Sequence, residues 1–300
     1  MKHLSAQLFF LITFLLSPLN LLAGPGTGLC IDSRGNVYFS DFEEVVKIDP
    51  QGRISRFVTN HPSHELALDA KDNLYGRDNH FDNRTGTYTP AYWRATPDGH
   101  VSTVTREEGD RVFDAHDAEG NRYALHTSNR RNWIERVSPD GKRVLLAGGT
   151  EGYADGHGGE ARFQLIFHPA TGPDGALYVS SGSRIRKITL DGQVTTVAGP
   201  DRDWETTRHT RLMAFALTPS GDLLVTHPTE NKIYRIDPSG RVETFLETGS
   251  WTPTAVAIRD GAVFVLEYGR INAIGGTRVR RIDPDGRITT LGNTKDIERS

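Results

Sequence analysis

A single cysteine, Cys30, stands in the whole chain, so no intrachain disulfide can form and packing alone must hold the fold. Neither charge is in large excess: 35 Lys and Arg face 38 Asp and Glu, a formal net charge of −3. That balance excludes a basic field for nucleic acid, and there is no charged tail. Beyond the first two dozen residues there is no long apolar run, so nothing later reads as a membrane span. A Gly-x-Ser-x-Gly elbow, a His-Glu-x-x-His motif and a cysteine pair are all missing. Cys30 lies in an alternating pattern and reads as a small buried hydrophobe.

What is abundant is turn chemistry. Glycine (31) and proline (15) recur in Asp-Gly, Pro-Asp-Gly and Pro-Ser-Gly steps, which point to a turn-rich β protein. The N-terminus stands apart. Lys2 and His3 precede the apolar run Leu8 to Leu16, then Ser17-Pro18 and Leu21-Leu22-Ala23. The run is short for a span and Pro18 interrupts it, so residues 1–23 read as a signal peptide cleaved after Ala23. The expected location is extracytoplasmic, periplasmic or secreted, and the expected state is a monomer with no membrane span after cleavage.

The strongest signal is self-similarity at a period near forty residues. One unit reads Leu29 to Asp32, a turn Ser33-Arg-Gly-Asn36, Val37 to Asp41, Val45 to Asp49, a turn Pro50-Gln-Gly-Arg53, and Ile54 to Val58. That is four short strands punctuated by turn formers. Five more copies follow, giving units over roughly 24–60, 61–107, 108–150, 151–206, 207–249 and 250–294, with 295–300 as a tail. A lone four-stranded sheet cannot cover both its faces, and radial stacking of six solves that. The expected fold is all-β, a six-bladed β-propeller of four-stranded antiparallel blades. Gly24 to Thr27 is too short to lend an outer strand to the last blade, so the first and last units are expected to pack side by side.

Gly152 to Phe163, His168-Pro169, Leu177-Tyr-Val179, Arg184 to Ile188 and Val194 to Gly199 resemble the pattern of an NHL repeat. NHL propellers resemble in turn the gluconolactonase/SMP-30 and strictosidine-synthase-like propellers. The fifth unit, with Asp222 to Thr226 and Asn231 to Ile236, is also similar to blades of streptogramin lyases.

Propeller connectivity puts the turns after first and third strands on one face, where they are tight. The links after second strands and between units share the other face. There the sequence expects long loops at Asn79 to Ala91, Thr127 to Trp133, Gly148 to Leu165, Pro200 to Leu212 and Tyr268 to Thr277. Phe81, Tyr88, Tyr92, Trp93, Trp133, Trp204, Trp251 and Tyr268 cluster in or beside them and suit sugars, peptides or small organic ligands, although Trp93, Trp133 and Trp251 read better as strand starts that pack between blades.

Second strands end in a ring of Asp41, Asp78, His126, Ser181, His227 and Glu267. Of these, His126, His227 and Glu267 are the candidate acid–base groups, and Asp41, Asp78 and Glu267 the candidate ligands of a divalent metal such as Ca²⁺. Loop capping is the simpler reading of the same residues. First strands begin at Thr27, His64, Val112, Phe167, Met213 and Pro253, a ring more apolar than the resemblance to lactonases implies. His64 with Glu65, Asp114 with His116, and His168 are its nearest polar groups. Candidate ligand contacts are therefore Asp41, His64, Asp78, Tyr88, Tyr92, Trp204 and Tyr268. Two functions stay open. One is a binding scaffold for a protein, peptide or carbohydrate; the other is a lactonase-like hydrolase or lyase at the channel mouth.

Overall fold

The computed structural model describes residues 28–41, 44–61, 63–82, 87–128, 130–199, 214–269 and 276–297, with only the backbone for 79–82 and 87–89. Six antiparallel sheets follow one another along the chain, five of them with four strands in sequence order, while that of blade 4 adds a fifth, Gly156–His157, against its outer strand. Blade 1 runs Leu29–Ile31, Val37–Asp41, Glu44–Ile48 and Ile54–Val58; blade 2 runs Glu65–Leu68, Leu74–Asp82, Thr87–Ala95 and Val101–Thr103. Blade 3 is Ala115–His116, Arg122–Ser128, Arg131–Val137 and Arg143–Thr150. Blade 4 holds Ile166–Thr171, Leu177–Ser181, Arg184–Ile188 and Gln193–Ala198. Blade 5 holds Phe215–Leu217, Leu223–His227, Lys232–Ile236 and Val242–Glu247, and blade 6 Trp251–Arg259, Ala262–Gly269, Thr277–Ile282 and Ile288–Asn293. First strands pack on the first strands of neighbouring blades, so they line the axis.

The repeated turn is an Asx turn. In blade 1 the Asp32 carboxylate accepts from the backbone N–H of Arg34 and Asn36 at 3.0 and 2.8 Å. Gly35 then takes a φ of 83°, which a Cβ would resist. The same carboxylate accepts from the Tyr38 hydroxyl at 3.2 Å, and blade 3 repeats this with Asp117 and Tyr123 at 2.7 Å. A short polar motif thus clamps turn to strand in blades 1 and 3.

The ring closes as the spacing predicts, by side-by-side packing. Leu29, Val37 and Phe39 of blade 1 share a core with Ala255, Phe264 and Leu266 of blade 6. The Arg259 guanidinium donates to the Ile31 carbonyl at 3.1 Å, and the Tyr268 hydroxyl to the Ser40 carbonyl at 3.2 Å.

Three of the expected loops are organised differently. Most of Asn79 to Ala91 is strand, since blade 2 extends its central hairpin to the pair Asp82↔Thr87. Thr127 to Trp133 is also paired, down to Ser128↔Arg131. Both stretches contain loop formers, yet their Thr, Tyr and Trp residues favour the pleated state. Gly148 to Leu165 folds inward as a wedge, with Ala161 and Phe163 fully buried. Buried Arg186 ties it down, donating to the carbonyls of Arg162 and Ala154 at 2.9 and 2.7 Å and to Asp155 at 2.7 Å. Residues 200–212 lie outside the described residues, as do 270–275.

One element is absent from the repeat pattern: a helix over Arg106–Phe113 between blades 2 and 3. Thr105 caps it by accepting from the Glu108 N–H at 3.2 Å, and Glu107 and Glu108 sit in its positive first turn.

Candidate functional site

Five of the six blade junctions are filled by apolar clusters: blades 1 with 2, 3 with 4, 4 with 5, 5 with 6, and 6 with 1. Among the described residues no such cluster fills the junction of blades 2 and 3. Strand alternation explains what does. Tyr75 and Arg77 on the second strand of blade 2, and Tyr92 and Arg94 opposite them on the third, share the face turned toward blade 3. Arg122, Ala124 and His126, with Trp133 and Glu135 opposite, share the face of blade 3 turned back toward blade 2. The helix lies against blade 2 and bridges the gap.

The result is a polar seam. Glu108 accepts from the Tyr75 hydroxyl at 3.1 Å and from Arg94 Nη1 at 3.2 Å, while the Tyr92 hydroxyl donates to Asp110. The Arg77 guanidinium pairs with Glu65 and lies 5.0 Å from the Phe113 ring centre. Arg122 Nη1 donates to Asp114 Oδ2 at 2.5 Å. Burial pushes the Asp114 carboxyl up to about 6, and the Arg122 charge offsets only part of that. His168, in a bulge of blade 4 at a φ of 51°, senses the charges of Glu65 and Arg77 of blade 2. Burial moves its pKa down, so it is held neutral.

At the outer end of the same blade 3 wall, His126 stacks on Trp133 with ring centres 4.8 Å apart and planes 16° from parallel. Glu135 braces the pair, 3.2 Å from His126 Nε2 and accepting from Trp133 Nε1 at 3.3 Å. Arg131 lies 5.6 Å from the Trp133 ring, and Arg143 reaches Glu135 at 3.2 Å.

The other residues picked from the sequence are spread around the ring. Asp41 accepts from Thr277 Oγ1 at 2.7 Å at the closing junction, and burial raises its pKa. Asp78 sits 2.9 Å from His64 Nδ1, a bond that raises the His64 pKa. Ser181 Oγ donates to the Gln164 carbonyl at 3.3 Å. His227 is buried edge-on against Tyr234, at 5.7 Å between ring centres, and burial lowers its pKa. Glu267 is fully buried between Arg278 and Arg280. Tyr268 is buried in the closing junction and Tyr92 in the seam. Of Tyr88 only the backbone is described, and Trp204 lies outside the described residues.

Asp41, Asp78 and Glu267 therefore belong to three blades and three separate networks. Among the described residues no group of three or more His, Cys, Asp or Glu side chains is placed to hold a metal. The acids nearest the axis, Glu65 and Asp114, already face guanidinium groups, which does not fit a divalent cation.

Two grooves open elsewhere, both on the tight-turn face. One of about 540 Å³ lies between blades 6 and 1, beside Arg34, Arg259 and Arg281. Another of about 320 Å³ lies between blades 4 and 5, beside Asp174, Tyr178 and Lys187. Both are structurally equivalent interblade clefts remote from the seam's buried acid and imidazole.

Asp114, His168 and Glu65 are each legible in the sequence, but their partners Arg77, Asp110 and Arg122 are not. The signal was Thr105-Arg-Glu-Glu108, a capping-box spacing that announces a helix where a propeller needs only a link.

No family model matches this sequence, and no curated protein does. Solved structures do match. The chain is similar to a structure of a nidogen/laminin complex at 16% identity and TM-score 0.56, covering 87% of this chain and 94% of that one. It is similar to regucalcin, a calcium-binding protein from Agrobacterium tumefaciens, at 13% identity and TM-score 0.56, covering 90% of each chain. A gluconolactonase from Xanthomonas campestris matches at 16% identity and TM-score 0.55, covering 83% of this chain and 85% of that one. These likenesses agree with the six-bladed ring, within which both binding proteins and enzymes occur.

Proposed function

We propose that the protein is an exported binding propeller that holds a protein, peptide or carbohydrate ligand at the outer mouth of the seam between blades 2 and 3. The observation that carries this is the half-buried Trp133–His126 stack, ringed by Glu135, Arg131 and Arg143. A flat aromatic platform with polar groups at its edge takes sugar rings and peptide side chains alike. The nidogen/laminin neighbour is consistent with a propeller used for binding. The test is capture on glycan and peptide arrays by the mature protein and by Trp133→Ala. Trp133→Ala should lose at least tenfold in affinity while keeping its melting temperature. Equal capture by both forms would move the site elsewhere. Export is checked separately, by N-terminal sequencing of the secreted form, which should begin at Gly24.

A second reading, a hydrolase or lyase, draws on Asp114 at about 6 and neutral His168, two groups with displaced pKa values that both sense Arg77. Lactone or ester turnover that disappears in Asp114→Ala would favour it over binding alone.

A further inference from the structure

We propose that the inner end of the seam is a subsite for a carboxylate, which Arg77 and Arg122 grip by displacing Asp114. The inference rests on the binding reading and names the chemistry of the ligand's anchoring group.

Five junctions of this ring are apolar, the stable solution for stacked sheets. The sixth buries charge, and buried ion pairs are seldom a better stabiliser than apolar packing. Three guanidinium groups stand in it: Arg77 and Arg94 from blade 2 and Arg122 from blade 3. Arg94 Nε is buried with no hydrogen-bond partner among the described residues. Arg77 pairs with Glu65 through Nη2 and lies over Phe113, and Arg122 meets Asp114 through one nitrogen, Nη1. Each planar fork carries five donors and matches a carboxylate in two-point geometry. The inner seam is reachable too, since the Arg77 side chain keeps 24% and that of Arg122 16% of its exposure.

Asp114 is the group a ligand would displace. It is faced by Arg122 on its own blade, Asp110 on the helix and Arg77 on blade 2. With its carboxyl at about 6, it takes up a proton near neutral pH more readily than an exposed aspartate does. A ligand carboxylate replacing it on Arg122 is then accompanied by one proton moving from solvent to Asp114. Binding must therefore tighten as pH falls toward 6 and below.

The experiment is an NMR titration of the labelled mature protein with acetate, against chloride at equal ionic strength, at pH 5.5 and pH 7.5. Acetate should shift the Arg77 and Arg122 Nε–H signals, with affinity on the order of twentyfold tighter at pH 5.5, as expected when only protonated Asp114 permits binding. Asp114→Asn should bind acetate equally at both pH values. Because Arg77→Met risks the fold, Asp114→Asn carries the test. Acetate shifts no larger than those of chloride, equal affinity at the two pH values, or an Asp114→Asn variant that keeps the wild-type pH dependence would each overturn the proposal. The array experiment on Trp133 does not touch these residues, so the two failures are told apart.

Discussion

The Glu267 carboxylate is enclosed by two arginines of the neighbouring strand, with Arg278 Nε at 2.6 Å and Arg280 Nε at 3.0 Å. Arg278 in turn lies 4.0 Å from the Trp251 ring centre. A residue that the sequence offers as a catalytic acid or metal ligand is thus the fully buried centre of an ion triad whose arginines reach the surface in part. The Glu267→Gln substitution should leave two guanidinium groups under-compensated in blade 6. The expected cost is about 3 to 5 kcal/mol, the usual result of breaking a buried pair from one side. Urea unfolding reads it, and a variant within about 1 kcal/mol of wild type would contradict the triad's structural role.

Gly109 lies buried in the helix, and a Cβ built on it would stand 2.3 Å from the Tyr92 ring. Glycine to alanine inside an exposed helix ordinarily stabilises by about 1 kcal/mol. Here the sign should reverse, because Tyr92 is fixed by its hydroxyl bond to Asp110 and the helix must move off blade 2. Gly109→Ala is expected to destabilise by about 1 to 3 kcal/mol and to speed proteolysis near residue 106. A melting temperature at or above wild type would show that the helix is not clamped against the blade.

The repeats were legible because each blade needs the same turns and strands. Asp32 with Tyr38, and Asp117 with Tyr123, are one device written twice at fixed spacing. The strand ends were legible as well, and His126 and Glu267 lie where the repeat places them. What spacing could not reveal is which partner each end meets. Glu267 meets Arg278 and Arg280, while His126 meets Trp133, because the opposing strand differs from blade to blade. The seam was hidden for a related reason. Its charges come from two blades and a helix, and no single repeat contains Arg77, Asp110 and Arg122 together.

Asp114 supplies the pH dependence. A carboxyl raised from an ordinary 3.8 to about 6 binds its proton more tightly when folded than when unfolded. Its contribution is fully present below pH 3.8 and is lost as pH rises through 6. The gap between those two values is worth about 3 kcal/mol at most. Asp114→Asn stays neutral at every pH and keeps an oxygen for Arg122, so it escapes that loss. The variant should match wild type near pH 3.5 and exceed it in unfolding free energy by up to about 3 kcal/mol at pH 7. Chemical denaturation at half-unit pH steps measures the difference directly. If the two curves run parallel from pH 3.5 to 7, Asp114 is not the strained acid of the seam. If they diverge as expected, the wild-type chain tolerates a destabilising charge where a neutral amide would serve the fold better, as residues kept for function often do.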